Sequence, residues 1–63
     1  MVGMVTWEYL TVSVNGTQVY STDDRHWEHG AQAFQALMAE GWAYLELVET
    51  NLGYQMFFQR RSS

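Results

Sequence analysis

The segment that decides the fold spans residues 27–48 and reads WEHGAQAFQALMAEGWAYLELV. At 100° per residue, five apolar side chains before residue 39 fall within a stripe about 120° wide, which predicts an amphipathic helix with one face on a sheet. The stripe consists of Trp27, Ala31, Phe34, Leu37 and Met38. Gly30 costs the first turn about 1 kcal/mol relative to alanine, so we expect the regular helix to begin near it. Gly41 can adopt the left-handed conformation that ends a helix.

Strand composition flanks this helix on both sides. Residues 42–49 and 54–59 are rich in aromatic and aliphatic side chains, and Asn51-Leu52-Gly53 between them indicates a turn. Before the helix, residues 5–14 and 17–20 also have strand composition, and Asn15-Gly16 predicts a type I′ hairpin turn between them.

The segment Ser21–Asp24 offers side-chain oxygens that could cap the start of the helix. The predicted fold is therefore α+β, a small antiparallel sheet in the order ββαββ packed on one amphipathic helix. It forms a single domain over residues 1–63.

Apolar side chains alternate irregularly along the first predicted strand. Trp7 and Tyr9 have one parity, whereas Leu10, Val12 and Val14 have the other. Either a β-bulge shifts the phase, or both faces of the strand are covered.

The composition disfavours several classes of function. Seven acidic residues against three arginines and no lysine give a net charge of −4, which argues against nucleic acid as a partner. The longest apolar run is too short to span a bilayer and the first residues lack signal-peptide features, so we expect no membrane partner and a cytoplasmic location. At 63 residues without cysteine, the chain lies near the lower limit for a stable core, and self-association is the simplest added stabilisation.

Three short motifs occur in an order typical of a known family. They are Trp7-Glu8-Tyr9, Phe34-Gln35-Ala36-Leu37 followed by Gly41-Trp42, and Phe57-Phe58-Gln59-Arg60. Together they resemble the small bacterial family called Domain of Unknown Function 4177, over nearly the whole chain. Gln35 stands where that family usually has asparagine, and Ala43-Tyr44 stand where Glu-Leu is common. The resemblance implies a small sheet with one helix and brings no reaction, cofactor or catalytic residue.

Groups able to support catalysis or bind a metal are few. His26 and His29 suit zinc or nickel, but two imidazoles do not complete a site, so no metal or other cofactor is expected. Glu8, Glu46 and Glu49 fit a polar outer sheet face better than a shared acid–base pocket. The chain has no cysteine or lysine nucleophile and no serine in an elbow motif, so we expect no catalytic residues and a protein that is not an enzyme.

Aromatic residues make up 16% of the chain and lie on both parities of the predicted strands. One helix covers one sheet face, so the other face would expose an aromatic patch that soluble monomers rarely tolerate, unless twist and irregular alternation hide these side chains in one core. We therefore expect an interaction module that binds itself or another protein, through this face or through edge strands that lack lysine and proline. The candidate interface or ligand residues are Trp7, Tyr9, Trp42, Tyr44, Tyr54, Met56 and Phe58.

The alternative is a binding protein or minor enzyme with a small ligand. A small apolar or aromatic molecule would then occupy a groove between Trp42, Tyr44 and Tyr54. Partner, stoichiometry and biological process do not follow from the sequence.

Overall fold

Five strands and one helix make up the part of the chain that the computed structural model describes, residues 3–62. The elements are β1 (Trp7–Asn15), β2 (Gln18–Ser21), β3 (His26–Trp27), α1 (Gly30–Ala39), β4 (Ala43–Thr50) and β5 (Gly53–Arg61). They confirm the predicted α+β class, with an antiparallel sheet and one helix. The predicted ββαββ order lacks one element, because the two-residue strand β3 precedes the helix.

The strands form one antiparallel sheet in the order β3-β2-β1-β5-β4. β1 and β5 come from opposite ends of the chain and pair in the centre, from Trp7 opposite Arg61 to Asn15 opposite Gly53. A side chain at position 53 would collide with the carbonyl oxygen of Val14, so glycine allows the two strands to approach there. β3 and β4 form the two edges of the sheet.

The core lies between α1 and one face of the sheet. Leu10 pairs with Phe58 and Val12 with Met56, and side chains directly opposite each other in an antiparallel pair share a face. The buried apolar residues are Leu10, Val12, Val19, Ala33, Leu37, Trp42, Met56 and Phe58.

The irregular alternation of β1 does not come from a bulge. The register between β1 and β5 runs without a shift, so Trp7 and Tyr9 project from the face opposite to that of Leu10 and Val12. Both aromatic side chains are exposed there. The sheet face that carries them, away from α1, is called the open face below.

The segment Ser21–Asp24 forms a turn and does not cap the helix, so that prediction is wrong. The backbone N–H of Ser21 donates to the carbonyl of Arg25 at 2.9 Å, and Asp24 has a φ of 67°. The turn sends the chain back along β2 as strand β3, in which Trp27 pairs with Val19.

Helix α1 begins at Gly30, as the low helix propensity of glycine predicted. The side-chain oxygen of Gln32 accepts hydrogen bonds from the backbone N–H groups of Glu28 and His29, at 3.0 and 3.1 Å. A glutamine at the third helical position thus reaches back to the N-cap, which is half of a capping box.

The buried stripe of α1 differs from the predicted one. Ala33 and Leu37 are buried and Phe34 is half-buried, whereas Ala31 and Met38 are exposed. The predicted stripe was centred with the help of Trp27. This residue belongs to β3 and not to the helix, so it does not indicate which helix face is buried.

The helix ends as predicted, with Gly41 at a φ of +91°. The N–H of Trp42 donates to the carbonyl of Leu37 at 3.0 Å, and the N–H of Gly41 donates to that of Met38 at 3.1 Å. These two bonds define a Schellman motif, whose usual apolar contact joins Trp42 and Leu37 in the core.

The turn after β1 is a hairpin turn of a different type from the predicted one. Asn15 pairs with Gln18, so Gly16 and Thr17 are the central residues. Gly16 has a φ of +61°, whereas Thr17 does not have a positive φ. Positive φ at the first central residue alone is the pattern of a type II′ turn.

Candidate functional site

Strand β4 forms a long free edge of the sheet. Its neighbour on one side is β5, and no strand of residues 3–62 lies on its other side. All eight residues from Ala43 to Thr50 are exposed. Four of them are large and apolar, with exposed fractions of 41% to 46%, and they are Tyr44, Leu45, Leu47 and Val48. An edge of this length and apolarity is a template for pairing with another strand.

Few of the usual devices that block edge pairing occur in β4. It contains no lysine and no proline, and its protective features are a bulge and two glutamates, Glu46 and Glu49. The bulge leaves Leu45 without a partner on β5, between the pairs Tyr44–Phe58 and Glu46–Phe57. The opposite edge is stepped and not one long strand, because β3 has two residues and β2 pairs only with residues 12–15 of β1.

The two faces of β4 differ in their contacts. On the helix side, the ring of Tyr44 meets those of Phe34 and Phe58 at centroid distances of 5.5 and 5.8 Å, and Leu47 lies opposite Met56. On the open face, Val48 lies opposite Gln55. Glu49, opposite Tyr54, also lies on the helix side, so each side of the edge combines large apolar residues with one glutamate.

Glu46 and Glu49 lie outside the ion pairs found among residues 3–62. Those pairs join Arg25 to Asp23 and Glu40 at 3.0 and 2.6 Å, and Arg60 to Glu8 at 3.3 Å. Glu46 lies opposite Phe57 and Glu49 opposite Tyr54, so the two carboxylates project from opposite faces. They do not share a pocket and cannot act together as an acid–base pair.

The open face has scattered aromatic side chains. Trp7 is 47% and Tyr9 is 69% exposed, and Phe57 is half-buried. Polar residues separate them, since Gln59 lies opposite Tyr9 and Thr11 lies opposite Phe57. The predicted aromatic face is thus present but interrupted.

Three of the predicted interface residues belong to the core. Trp42, Met56 and Phe58 are buried, and Phe58 is only 1% exposed. The guanidinium of Arg60 lies 4.3 Å from the ring centroid of Trp42 and also donates to the Glu40 carbonyl at the end of the helix. These side chains stabilise the domain and offer no surface to a partner.

The predicted ligand groove is not assembled. Tyr44 of β4 lies opposite Phe58 of β5. Tyr54 lies four positions before Phe58 on the same strand, which is a distance of about 13 Å. The Tyr54 hydroxyl lies against Gly30 at the start of the helix, whereas Trp42 follows its end.

An open groove lies elsewhere, between the β1–β2 turn and the start of α1. It has a volume of about 410 Å³. Its lining consists of Val14, Gly16, Thr17, Val19, Glu28, His29 and Gly30. The sequence shows no pattern that would have predicted it, because two separate segments, residues 14–19 and 28–30, form its walls.

The two histidines lie on different elements. His26 is in β3, with its ring centroid 6.4 Å from that of Tyr20, and His29 precedes the helix. Within residues 3–62, no group of three or more histidine, cysteine or acidic side chains is arranged to hold a metal ion.

The β2–β3 turn contains the carboxyl group with the clearest perturbation. Burial alone would raise the pKa of Asp23, but the hydrogen bond from the Ser21 hydroxyl and the charge of Arg25 outweigh it and lower the pKa below its usual range. The hydrogen bond to Glu40, opposed by burial and reinforced by the charge of Asp23, raises the pKa of Arg25. Asp23, Arg25 and Glu40 thus tie the turn to the end of α1.

Comparison with known proteins yields no relative. No family model, no curated protein and no solved structure matches the chain. Among residues 3–62, no helix is long and apolar enough to cross a membrane.

Proposed function

We propose that this protein is a non-enzymatic interaction module that self-associates through the free edge of β4. The observation that supports it most strongly is the exposure of all eight residues of an apolar strand without lysine or proline. Pairing with a second strand would satisfy the outward backbone groups of β4 and cover Leu45, Leu47 and Val48.

The shape of the protomer supports the same proposal. Its extents are 48 × 21 × 17 Å, and its radius of gyration is 13.0 Å. A compact domain of this length would have a radius of gyration of about 11 Å. The protomer is thus less compact than expected, and a second copy would cover the large apolar side chains that β4 exposes.

Sedimentation velocity at micromolar concentration tests the proposal. We expect the wild-type protein to form an oligomer and Val48→Lys to be a monomer, because lysine is a natural blocker of edge pairing. Gln35→Lys is the matched control, since it makes the same change of charge on the exposed side of α1. The two variants should have matching circular dichroism spectra at low temperature, which separates dissociation from unfolding, and only the Tm of Gln35→Lys should rise with protein concentration.

A strictly monomeric wild-type protein would contradict the proposal, and so would equal association of the two lysine variants. Phe58→Glu is unsuitable as a test, because Phe58 is buried and its replacement unfolds the core.

A second candidate function is the binding of a small ligand in the groove beside Gly30. Its volume of about 410 Å³ lies within the range of ligand sites, and Val14 and Val19 give it apolar walls. Trp27 pairs with Val19, so its fluorescence would report an occupant. Unchanged emission with a panel of aromatic compounds would exclude this candidate.

Two sequence-based expectations complete the proposal. The protein is expected in the cytoplasm, which is compatible with the absence of cysteine. Its resemblance to Domain of Unknown Function 4177 remains a prediction that rests on the motifs alone.

A further inference from the structure

We propose that β4 pairs with β4 of a second copy in an antiparallel manner, about a two-fold axis that lies midway between Val48 and the partner's Val48. This inference rests on the proposed self-association at β4 and specifies its geometry. The product is a continuous ten-stranded sheet with both helices on the same face.

The alternation of side chains limits where the axis can lie. Directly opposite residues of an antiparallel pair project to the same face, so a two-fold axis perpendicular to the sheet must pass midway between one residue and its own copy. The regular part of β4 after the bulge runs from Glu46 to Thr50. The axis could therefore lie at Leu47, Val48 or Glu49 in the interior of this segment, or at Glu46 at its start.

Charge excludes two of these positions. An axis at Glu46 or at Glu49 would place that carboxylate directly opposite its own copy, and like charges in this position destabilise a sheet. Neither glutamate has an ion-pair partner among residues 3–62 that would offset the repulsion. Leu47 and Val48 remain.

The bulge decides between them. Val48 is the midpoint of the regular segment from Glu46 to Thr50, so an axis there pairs all five residues with five regular residues. An axis at Leu47 would set Glu49 against the bulged Leu45, where the backbone departs from regular pairing. The structure therefore favours Val48 opposite the partner's Val48, with Glu46 opposite the partner's Thr50.

This pairing also explains why association would stop at two copies. It consumes the β4 edge of both protomers, and each end of the long sheet is then the stepped edge formed by the two-residue β3, the four-residue β2 and the first half of β1. An isologous contact uses the same edge of both copies and leaves no second β4 edge, so the assembly is a closed dimer.

A double-mutant cycle between positions 46 and 50 tests the register. Thr50→Glu should weaken dimerisation about tenfold, because it creates two symmetric contacts between like charges, and adding Glu46→Lys should restore it. Within one chain these positions are about 13 Å apart, so their coupling must arise between subunits. Thr17→Glu, in the β1–β2 turn, is the control and should leave dimerisation unchanged.

Cysteine cross-linking gives an independent readout, since the chain has no cysteine of its own. With oxidised glutathione as oxidant, Val48→Cys should form a disulfide-linked dimer, and Leu47→Cys should form much less. Preferential cross-linking of Leu47→Cys would overturn the register. A dimer without coupling between positions 46 and 50 would also overturn it and leave self-association standing. A monomeric wild-type protein would contradict both the register and the self-association.

Discussion

At the scale of single residues, Gly41 has two roles. Its φ of +91° ends the helix, and the following bond from Trp42 to the Leu37 carbonyl draws the indole into the core. Open space surrounds the Cα, because a side chain there would meet nothing within 4 Å. The requirement for glycine is therefore conformational and not steric.

The conformational requirement at Gly41 can be measured. Gly41→Val should lower the free energy of unfolding by at least about 1 kcal/mol, because a β-branched residue is strained at positive φ. Gly41→Asn should cost less, since asparagine tolerates the left-handed region better than other residues. Urea unfolding of the two variants at equal protein concentration provides the comparison. Equal free energies for both variants and the wild type would show that the helix does not end at a left-handed residue.

At the scale of elements, the β2–β3 turn shows how side chains override a sequence pattern. The Ser21–Asp24 segment looks like a helix cap, but its hydroxyl and carboxylate bind within the turn and to Arg25. Arg25 in turn reaches Glu40 at 2.6 Å and lies 5.2 Å from the ring centroid of Trp27. A prediction from local sequence cannot include Glu40, which is fifteen residues away.

The lowered pKa of Asp23 predicts a dependence of stability on pH. A depressed pKa in the folded state stabilises the protein above the ordinary value of 3.8, and this contribution is lost as the pH falls through the lower folded value. Asp23→Asn should therefore reduce the free energy of unfolding at neutral pH, and the difference from wild type should shrink below pH 3.8.

Urea unfolding at a series of pH values measures this difference. Asp24→Asn is the control, because it removes the same charge from the neighbouring position and asparagine accepts the φ of 67° there. A difference between wild type and Asp23→Asn that stays constant into acid would contradict the role assigned to the carboxylate.

At the scale of the whole molecule, charge and edge pairing oppose each other. Each protomer has a net charge of −4, so a dimer has −8, the sum of two equal charges. The proposed pairing also brings the two copies of Glu49 to diagonal positions. Apolar burial and backbone hydrogen bonds must then outweigh a repulsion that salt can screen.

Salt should therefore strengthen dimerisation. The Kd is expected to fall as ionic strength rises from about 0.01 M to about 1 M, because the screening length shortens from about 30 Å to about 3 Å. Sedimentation equilibrium across this range measures the change, with Val48→Lys as the monomeric control. Weaker association at high salt would indicate attraction between opposite charges, which two identical β4 edges do not offer.

Local patterns determined much of this fold. Strands β1, β2, β4 and β5 begin and end within two residues of their predicted limits, and the helix occupies the segment between Gly30 and Gly41. Periodicity, turn residues and glycine conformation are properties of a few neighbouring positions, so the sequence by itself specifies them. The parity of Trp7 and Tyr9 instead suggested a bulge or a second covered face, and the structure shows neither, because β1 pairs with β5 without a shift and both side chains are exposed.

Tertiary structure alone decided which strand became the free edge and which aromatic residues were buried. Strand order places β5 beside β1 and leaves β4 outside, and this choice buries Phe58 while exposing Tyr44, although the two lie side by side. The physical reason is that pairing between distant strands and the position of the helix over the sheet are long-range. The same type of residue therefore lies in the core at Trp42 and on the surface at Trp7.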